Sequence, residues 1–585
     1  MRLSRTGKAV CNEEKYLFMP VKLDDGGADA AGSAAVMTLA PVAAPEDQDA
    51  GLRALLSLAR PAEDDAPFPA LSGPAAVPAR ARRRLAVPLP LLVILTVQTV
   101  LAGTLLHANT AFQDEALYLW AGRLEIAGWL HGTPIPLYPT YFSGAPILYP
   151  PLAALANSIA GLTGARILSL CFMLGATTLL WATTSRLYGR RPAFFAAALW
   201  AVLGPTLHLS AFATFDPMSL FLVALAAWFA TGSRAREDST GWILAAAGAL
   251  VLANVAKYAS AIFDPTVIGM AWLSACPCPG GKAAARRPVL LVTCLAGLLA
   301  VLVKIGGTYY QTGITQTTLT RITGSNTVAQ VLGESWAWIG IVVVAASAGA
   351  AIGLARERGR SRKLLLILLA GTGLLAPLQQ AHIRTTTSLD KHVDFGAWFA
   401  MIAGGYAVDA LLTAIRPRVL RAAALGACAV ALGAAAMTGL TQARALFAWP
   451  NTSKFVAALR PLVDNSTGHL LVETPSIPEY YLPAGTQWKR WSSTWNIVLG
   501  SGRSTGSQGV GRSGNSAVFA HYIGIHYFSL IALNFNATRP LDEQIARLLE
   551  LTPGYHLVAR LPYGRVGQYV IWVYKPRPHS LAGSR

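Results

Sequence analysis

The sequence predicts a polytopic α-helical membrane protein that ends in a small α/β domain outside the bilayer. Three observations carry that expectation. Of the 585 residues, 53% are hydrophobic and only 13% charged, with a mean hydropathy of +0.44. A soluble globular chain is about one quarter charged, so much of this one must face lipid. Apolar runs of about 20 residues, enough to cross a hydrocarbon core of roughly 30 Å, recur from Leu85 to near Leu440 and then stop. Basic residues gather between those runs: Arg80 through Arg84, Arg186 with Arg190 and Arg191, Arg234 with Arg236, Lys282 with Arg286 and Arg287, Arg356 through Lys363, and Arg416 with Arg418 and Arg421. Charges beside spans stay cytoplasmic, so these clusters mark the inside. They also account for the net charge of +19 without a nucleic-acid partner.

Three segments follow. Residues 1–79 are rich in Ala, Pro, Gly and Asp without sustained periodicity, the composition of a disordered cytoplasmic tail. With no apolar stretch in the first thirty residues, the first span must act as the insertion signal. Residues 80–440 form the membrane domain, with about eleven spans when the basic clusters are placed inside. The first runs outward over Ala86–Leu106, an outer loop covers residues 107–164, and the second span returns over Ala165–Leu187. Later spans are expected near Pro192–His208, Phe215–Ala230, Gly241–Ala256, Ala259–Leu273, Val289–Gly306, Trp336–Ala355, Leu364–Gln380, Phe395–Ile415 and Val419–Leu440. An odd number of crossings leaves residues 441–585 outside the bilayer.

That outer region alternates helical and strand patterns. Lys454–Val463 and Leu541–Leu551 have helical spacing, His469–Glu473 and Phe528–Leu533 read as buried strands, and Tyr555–Leu561 with Val566–Tyr574 as a hairpin. Gly500–Gly514, rich in Gly and Ser, reads as a linker or lid rather than a phosphate loop, since no strand-loop-helix context surrounds it. Of the six cysteines, three lie in apolar runs, one in the tail and two in Cys276-Pro-Cys278, so no disulfide framework is expected.

With this topology drawn, the ionisable groups of the apolar body fall on the outer side. Asp114 and Glu115 sit in the first outer loop, Asp216 at the outer end of a span, and Lys257-Tyr258 at an outer turn. His382, Arg384, Asp390, Lys391, His392 and Asp394 crowd a short outer loop before Phe395. Each has a plain structural reading: a helix start, a cap, a snorkelling lysine or a hydrated turn. Together, on one side, they indicate an outward-facing site, because charges near membrane depth are costly and are paired or functional. A transporter or flippase for a lipid-linked or anionic solute is the alternative; it would place such groups near the midplane on broken helices within paired repeats.

The run Phe112-Gln-Asp-Glu-Ala-Leu-Tyr118, then Tyr149-Pro-Pro-Leu152, Ala165-Arg-Ile-Leu-Ser169 and Tyr188-Gly-Arg-Arg191, resembles the N-terminal half of the multi-spanning glycosyltransferases with the C-type fold. These include the protein O-mannosyltransferases and the lipid A aminoarabinose transferases. Phe215-Asp-Pro217 and Lys257-Tyr258 resemble the family's second acidic position and its Lys-Tyr turn; Lys391-His392 resembles its basic-aromatic pair, although Val393 follows where members carry Tyr. The resemblance implies an inverting transfer of sugar from a polyprenyl-phosphate donor, in the membrane, to a glycan, lipid or protein acceptor of the cell envelope. It implies Asp114 as general base, Glu115 or Asp216 as orienting acids, and Lys257, Tyr258, Arg384, Lys391 and His392 at the donor phosphate. The outer acids would also suit Mg²⁺ or Mn²⁺. The composition favours a bacterial plasma membrane, with the site and the C-terminal domain extracytoplasmic.

Overall fold

The computed structural model describes residues 21–22, 88–232, 240–275, 281–321, 323–482, 488–494, 497–498, 516–536, 538–564 and 567–576. The 500–514 segment and nearly all of the expected tail lie outside these residues; Val21–Lys22 of that tail pair in parallel with Ile497–Val498.

Helix α1 (Leu89–Gly103) is followed by α2 (Gln113–His131), whose first turn carries Asp114 and Glu115. Glu115 accepts the Phe112 N–H, the half of a capping box that reaches back to the N-cap backbone, which fixes where α2 begins. Helix α3 (Tyr149–Tyr188) opens on Pro150-Pro151, where missing N–H groups cost nothing, and breaks at Ala160-Gly161. Gly161 has φ +60°, so its lack of a Cβ permits the bend. The expected outer loop is therefore largely helical, with a surface segment of α3 leading into a span. Gly122 of α2 lies so close to the Pro150 carbonyl that a methyl group there would collide with backbone, which locks α2 onto the start of α3.

Next come α4 (Arg190–Trp200) and α5 (Gly204–Ser210), bent by 74° across residues 201–203 just before Gly204-Pro205, then α6 (Phe215–Gly232) and α7 (Thr240–Ala256). Helix α8 (Asp264–Leu273) has only ten residues and follows a 3₁₀ turn, so Ala259–Leu273 is not one continuous spanning helix. Helices α9 (Gly281–Ile314) and α10 (Val328–Arg356) are long; α11 (Arg360–Thr372) and α12 (Leu375–His382) are bent by 42°. The body closes with α13 (Leu389–Ala414) and α14 (Arg418–Leu446). Among the described residues, six helices are long and apolar enough to cross a membrane, or eight if each bent pair is one span; α1 and α7 are shorter apolar helices.

The hydrophobic core of the body centres on α6 and α13, which are buried over most of their length, whereas none of the most apolar stretch of α14 is buried against protein. An apolar helix left uncovered by protein is what contact with lipid tails allows.

The C-terminal domain is a five-stranded mixed sheet with order β2-β1-β3-β5-β4: β1 (His469–Val472), β2 (Trp491–Ser493), β3 (Phe528–Leu533), β4 (Tyr555–Tyr563) and β5 (Gly567–Tyr574). β1 pairs in parallel with β2 and β3, while β4 and β5 form an antiparallel hairpin. Helices α15 (Ser453–Asp464) and α16 (Arg539–Leu551) bury their apolar faces in two separate clusters with the sheet, one containing Phe455 and Leu459, the other Ile545 and Leu549. The helices and strands expected here from spacing all form, because alternation and helical periodicity read burial directly.

Candidate active site

Asp114 and Glu115 are both buried, and they meet different partners. Glu115 takes a bidentate clamp from Arg166 of α3, with Nε to Oε1 at 2.8 Å and Nη2 to Oε2 at 2.7 Å. The Phe112 and Ala213 N–H groups donate to the same carboxylate, each at 3.0 Å. Arg166 also donates to the carbonyls of Leu106 and Asn109, at 2.9 and 3.2 Å. A fully enclosed ion pair with its lone pairs satisfied is a structural rivet. It holds the end of α1, the start of α2, α3 and the turn before α6 in one place.

Asp114, one residue earlier, accepts from Lys391 Nζ at 3.2 Å. Burial pushes its carboxyl above the ordinary carboxylate range, and the Lys391 ammonium pulls the other way. Asp216, in the first turn of α6, accepts from Lys257 and, at 3.0 Å, from the Thr214 hydroxyl. Asp216 and Lys257 are close enough to act electrostatically on Asp114, so the two ion pairs form one cluster. Lys257 precedes a 3₁₀ turn in which the buried Tyr258 hydroxyl meets no partner among the described residues. The Nζ atoms of Lys257 and Lys391 lie 5.6 and 5.5 Å from the ring centres of Phe215 and Phe212.

The loop expected before Phe395 is shorter than the sequence suggested. Helix α13 begins at Leu389, directly after Ser388 in the left-handed region (φ +59°), so Asp390, Lys391, His392 and Asp394 occupy its first turns. Helical spacing sends them to different neighbours. Lys391 reaches Asp114, Asp390 accepts from His208 Nδ1 at 2.9 Å, and Asp394 accepts from the Thr206 hydroxyl at 2.7 Å. His392 Nδ1 lies 2.6 Å from Gln380 Nε2. Arg384 is exposed, with φ +50°.

The structure thus brings Asp114, Asp216, Lys257 and Lys391 together, with His392 within electrostatic reach of them. It sets Glu115 apart in its clamp and leaves Arg384 exposed on the loop that precedes α13. Sequence reasoning missed Arg321, whose charge acts on Lys257 and His392 from the connection between α9 and α10. It also missed His208, stacked 4.6 Å from Phe212. The Gly204-Pro205 break inside an apolar run was the available signal for His208; Arg321 had none. Among the described residues, no three His, Cys, Asp or Glu side chains are grouped to hold a metal ion. Each of the two central carboxylates is paired with a lysine ammonium.

The fold, a body of apolar helices that carries these buried acid-lysine pairs and ends in an α/β domain, is shared with solved structures. Among solved structures it is similar to ArnT from Cupriavidus metallidurans bound to undecaprenyl phosphate, with TM-score 0.54 and 14% identity over 84% of this chain and 99% of that one. It is also similar to the Archaeoglobus fulgidus oligosaccharyltransferase in the apo form, with TM-score 0.51 and 12% identity over 76% of this chain and 69% of the other. The archaeal enzyme AglB in complex with an inhibitory peptide and a dolichol-phosphate matches at TM-score 0.50 and 12% identity, over 83% of this chain and 74% of the other. No family model matches the sequence, and no curated protein does.

Proposed function

We propose that this chain is a glycosyltransferase that moves a sugar from a polyprenyl-phosphate carrier to an acceptor hydroxyl at the outer face of a plasma membrane, with inversion. The observation that carries this reading is the single buried cluster of Asp114–Lys391 and Asp216–Lys257. It supplies a base and an anion site side by side, as a displacement at a sugar phosphate requires.

The acceptor oxygen attacks the anomeric carbon, the bond from that carbon to the phosphate oxygen breaks, and the polyprenyl phosphate leaves with the electron pair. Asp114 takes the hydroxyl proton as general base. Lys257, Lys391, His392 and Arg321 neutralise the departing phosphate, since fixed positive charge in a dry cleft stabilises developing negative charge. The Tyr258 hydroxyl donates to a phosphate oxygen, and exposed Arg384 meets the head group as it arrives. When Lys391 turns to the phosphate, Asp114 loses its counter-ion and becomes the stronger base, which couples donor arrival to activation. Asp216 holds Lys257, and Glu115 holds the helix that carries Asp114. No step uses a metal ion.

Purified protein in detergent, given a panel of polyprenyl-phosphate sugars, should release free polyprenyl phosphate slowly without acceptor and faster with it. A transporter or flippase releases none, and that result would end the enzymatic reading. The orientation is tested separately with single cysteines in a background lacking the six native ones. Cysteine at exposed Asn465 should react with an impermeant thiol reagent in intact cells, and at exposed Arg358 it should not.

A further inference from the structure

A second site lies where the start of α2 meets the C-terminal domain. An open cleft runs between Phe112-Gln113 and the carboxyl ends of β1 and β3. The connection after β1 leads to β2 on one side and the connection after β3 leads to β4 and β5 on the other, so the two part at the carboxyl ends of β1 and β3. Ligands of open α/β sheets bind at such a switch point, beyond the carboxyl ends of the strands. Glu473 and Thr474 follow β1 there, and Asn534 follows β3.

The walls of the cleft are fixed to each other. Asn109 Nδ2 donates to the carbonyls of Phe447 and Trp449 at 2.9 and 2.6 Å, Trp449 Nε1 donates to Thr110 at 3.0 Å, and Ala111 N donates to the Tyr481 hydroxyl at 2.8 Å. The cleft therefore keeps a set position relative to Asp114, two residues beyond Phe112.

Its chemistry differs from that of the lysine cluster. Aromatic rings line it, Phe112, Trp449 and Tyr563 among them, and its neutral hydrogen-bonding groups include Gln113 and Thr474, while the Asn534 amide is turned to Glu473. The lining includes no Lys, Arg or His. Its one acid, Glu473, already accepts the Thr538 and Asn536 N–H groups, at 3.1 and 3.3 Å. Such a surface rejects a phosphate and offers no fresh carboxylate to an amine. Aromatic faces beside amides and hydroxyls match the apolar C–H faces and hydroxyl edges of a neutral sugar.

We propose that this cleft binds the acceptor, and that the acceptor is a neutral carbohydrate whose hydroxyl is presented to Asp114. The assignment of the bound sugar as acceptor rests on the glycosyltransferase reading; the binding itself does not. The test uses the full chain in detergent and a panel of methyl glycosides of neutral hexoses and pentoses, with a hexylamine and a short peptide as comparators, followed by saturation-transfer NMR. At least one glycoside should bind, and Thr474→Trp, which fills the cleft, should weaken it tenfold or more with the melting temperature unchanged. Tyr563→Leu, which removes a ring and keeps apolar volume, should weaken it less. Acceptor-independent donor cleavage should be equal in all three proteins. Binding of the amine or peptide alone, no glycoside binding, or glycoside binding untouched by both substitutions would overturn the proposal. Loss of donor cleavage in the wild type with glycoside binding intact would overturn the glycosyltransferase reading and leave the carbohydrate cleft standing.

Discussion

Asp114 and Glu115 are adjacent on one helix turn, equally enclosed, and opposite in what surrounds them. Glu115 meets four donors that fix both oxygens, two from a guanidinium and two from backbone N–H groups. Asp114 faces a flexible ammonium that a phosphate can attract away. A buried acid becomes reactive when its counter-charge is exchangeable, and structural when it is not. The difference between lysine and arginine carries this: guanidinium binds in a fixed fork, and ammonium acts as a movable point charge.

The comparison breaks most sharply at Asp114. Asp114→Asn keeps size and a hydrogen-bond acceptor but cannot take a proton. Turnover should fall about 10²–10⁴-fold, the loss typical of a missing general base, with donor affinity kept and the melting temperature lowered, since buried Lys391 loses its counter-ion. Turnover within a few-fold of wild type would remove Asp114 as base. Arg166→Ala should destabilise the protein by about 3–5 kcal/mol because Glu115 is left as an uncompensated buried charge. Thermal melts and detergent-extracted yield report it; a normal melting temperature with lost turnover would make Glu115 part of the chemistry.

The next effect is on pH dependence. The base must be ionised, so activity is lost as pH falls through the Asp114 pKa, which burial holds above the ordinary range. Lys391 opposes that rise, so in Lys391→Met the ascending limb of the rate profile should move to higher pH and the donor KM should increase. Lys391 is buried rather than exposed at the interface, so its removal is also expected to lower stability, contrary to what a snorkelling lysine would do. An unmoved limb would separate Lys391 from Asp114 in function.

The smallest effect lies in the outer domain, where burial and the neighbouring Glu473 push the Asp542 carboxyl up to about 9. The folded state then holds a proton that the unfolded state has released, so stability falls as pH rises from the ordinary carboxylate range towards that value. Asp542→Asn, neutral at every pH, should flatten this dependence and raise the alkaline melting temperature by about 2–4 °C, roughly 1 kcal/mol in a domain of this size. An unchanged slope would show that Asp542 and Glu473 are not sharing a proton.

Composition, apolar runs and basic clusters determined by themselves that this chain is a many-helix membrane protein with an α/β domain at its end, because hydropathy and periodicity are local properties of a segment. The acids and bases of the site were legible as a one-sided collection for the same reason. Which acid meets which base was not. The pairing of Asp114 with Lys391 joins residues 277 positions apart, and His208 with Asp390 joins residues 182 apart. Such contacts are set by how helices cross, and by the left-handed Ser388 that starts α13 early enough to turn a supposed loop into a helix face. The cleft beside Phe112 likewise exists only because the chain just before α2 is pinned to the segments before α15 and after β1 by hydrogen bonds spanning more than 300 residues.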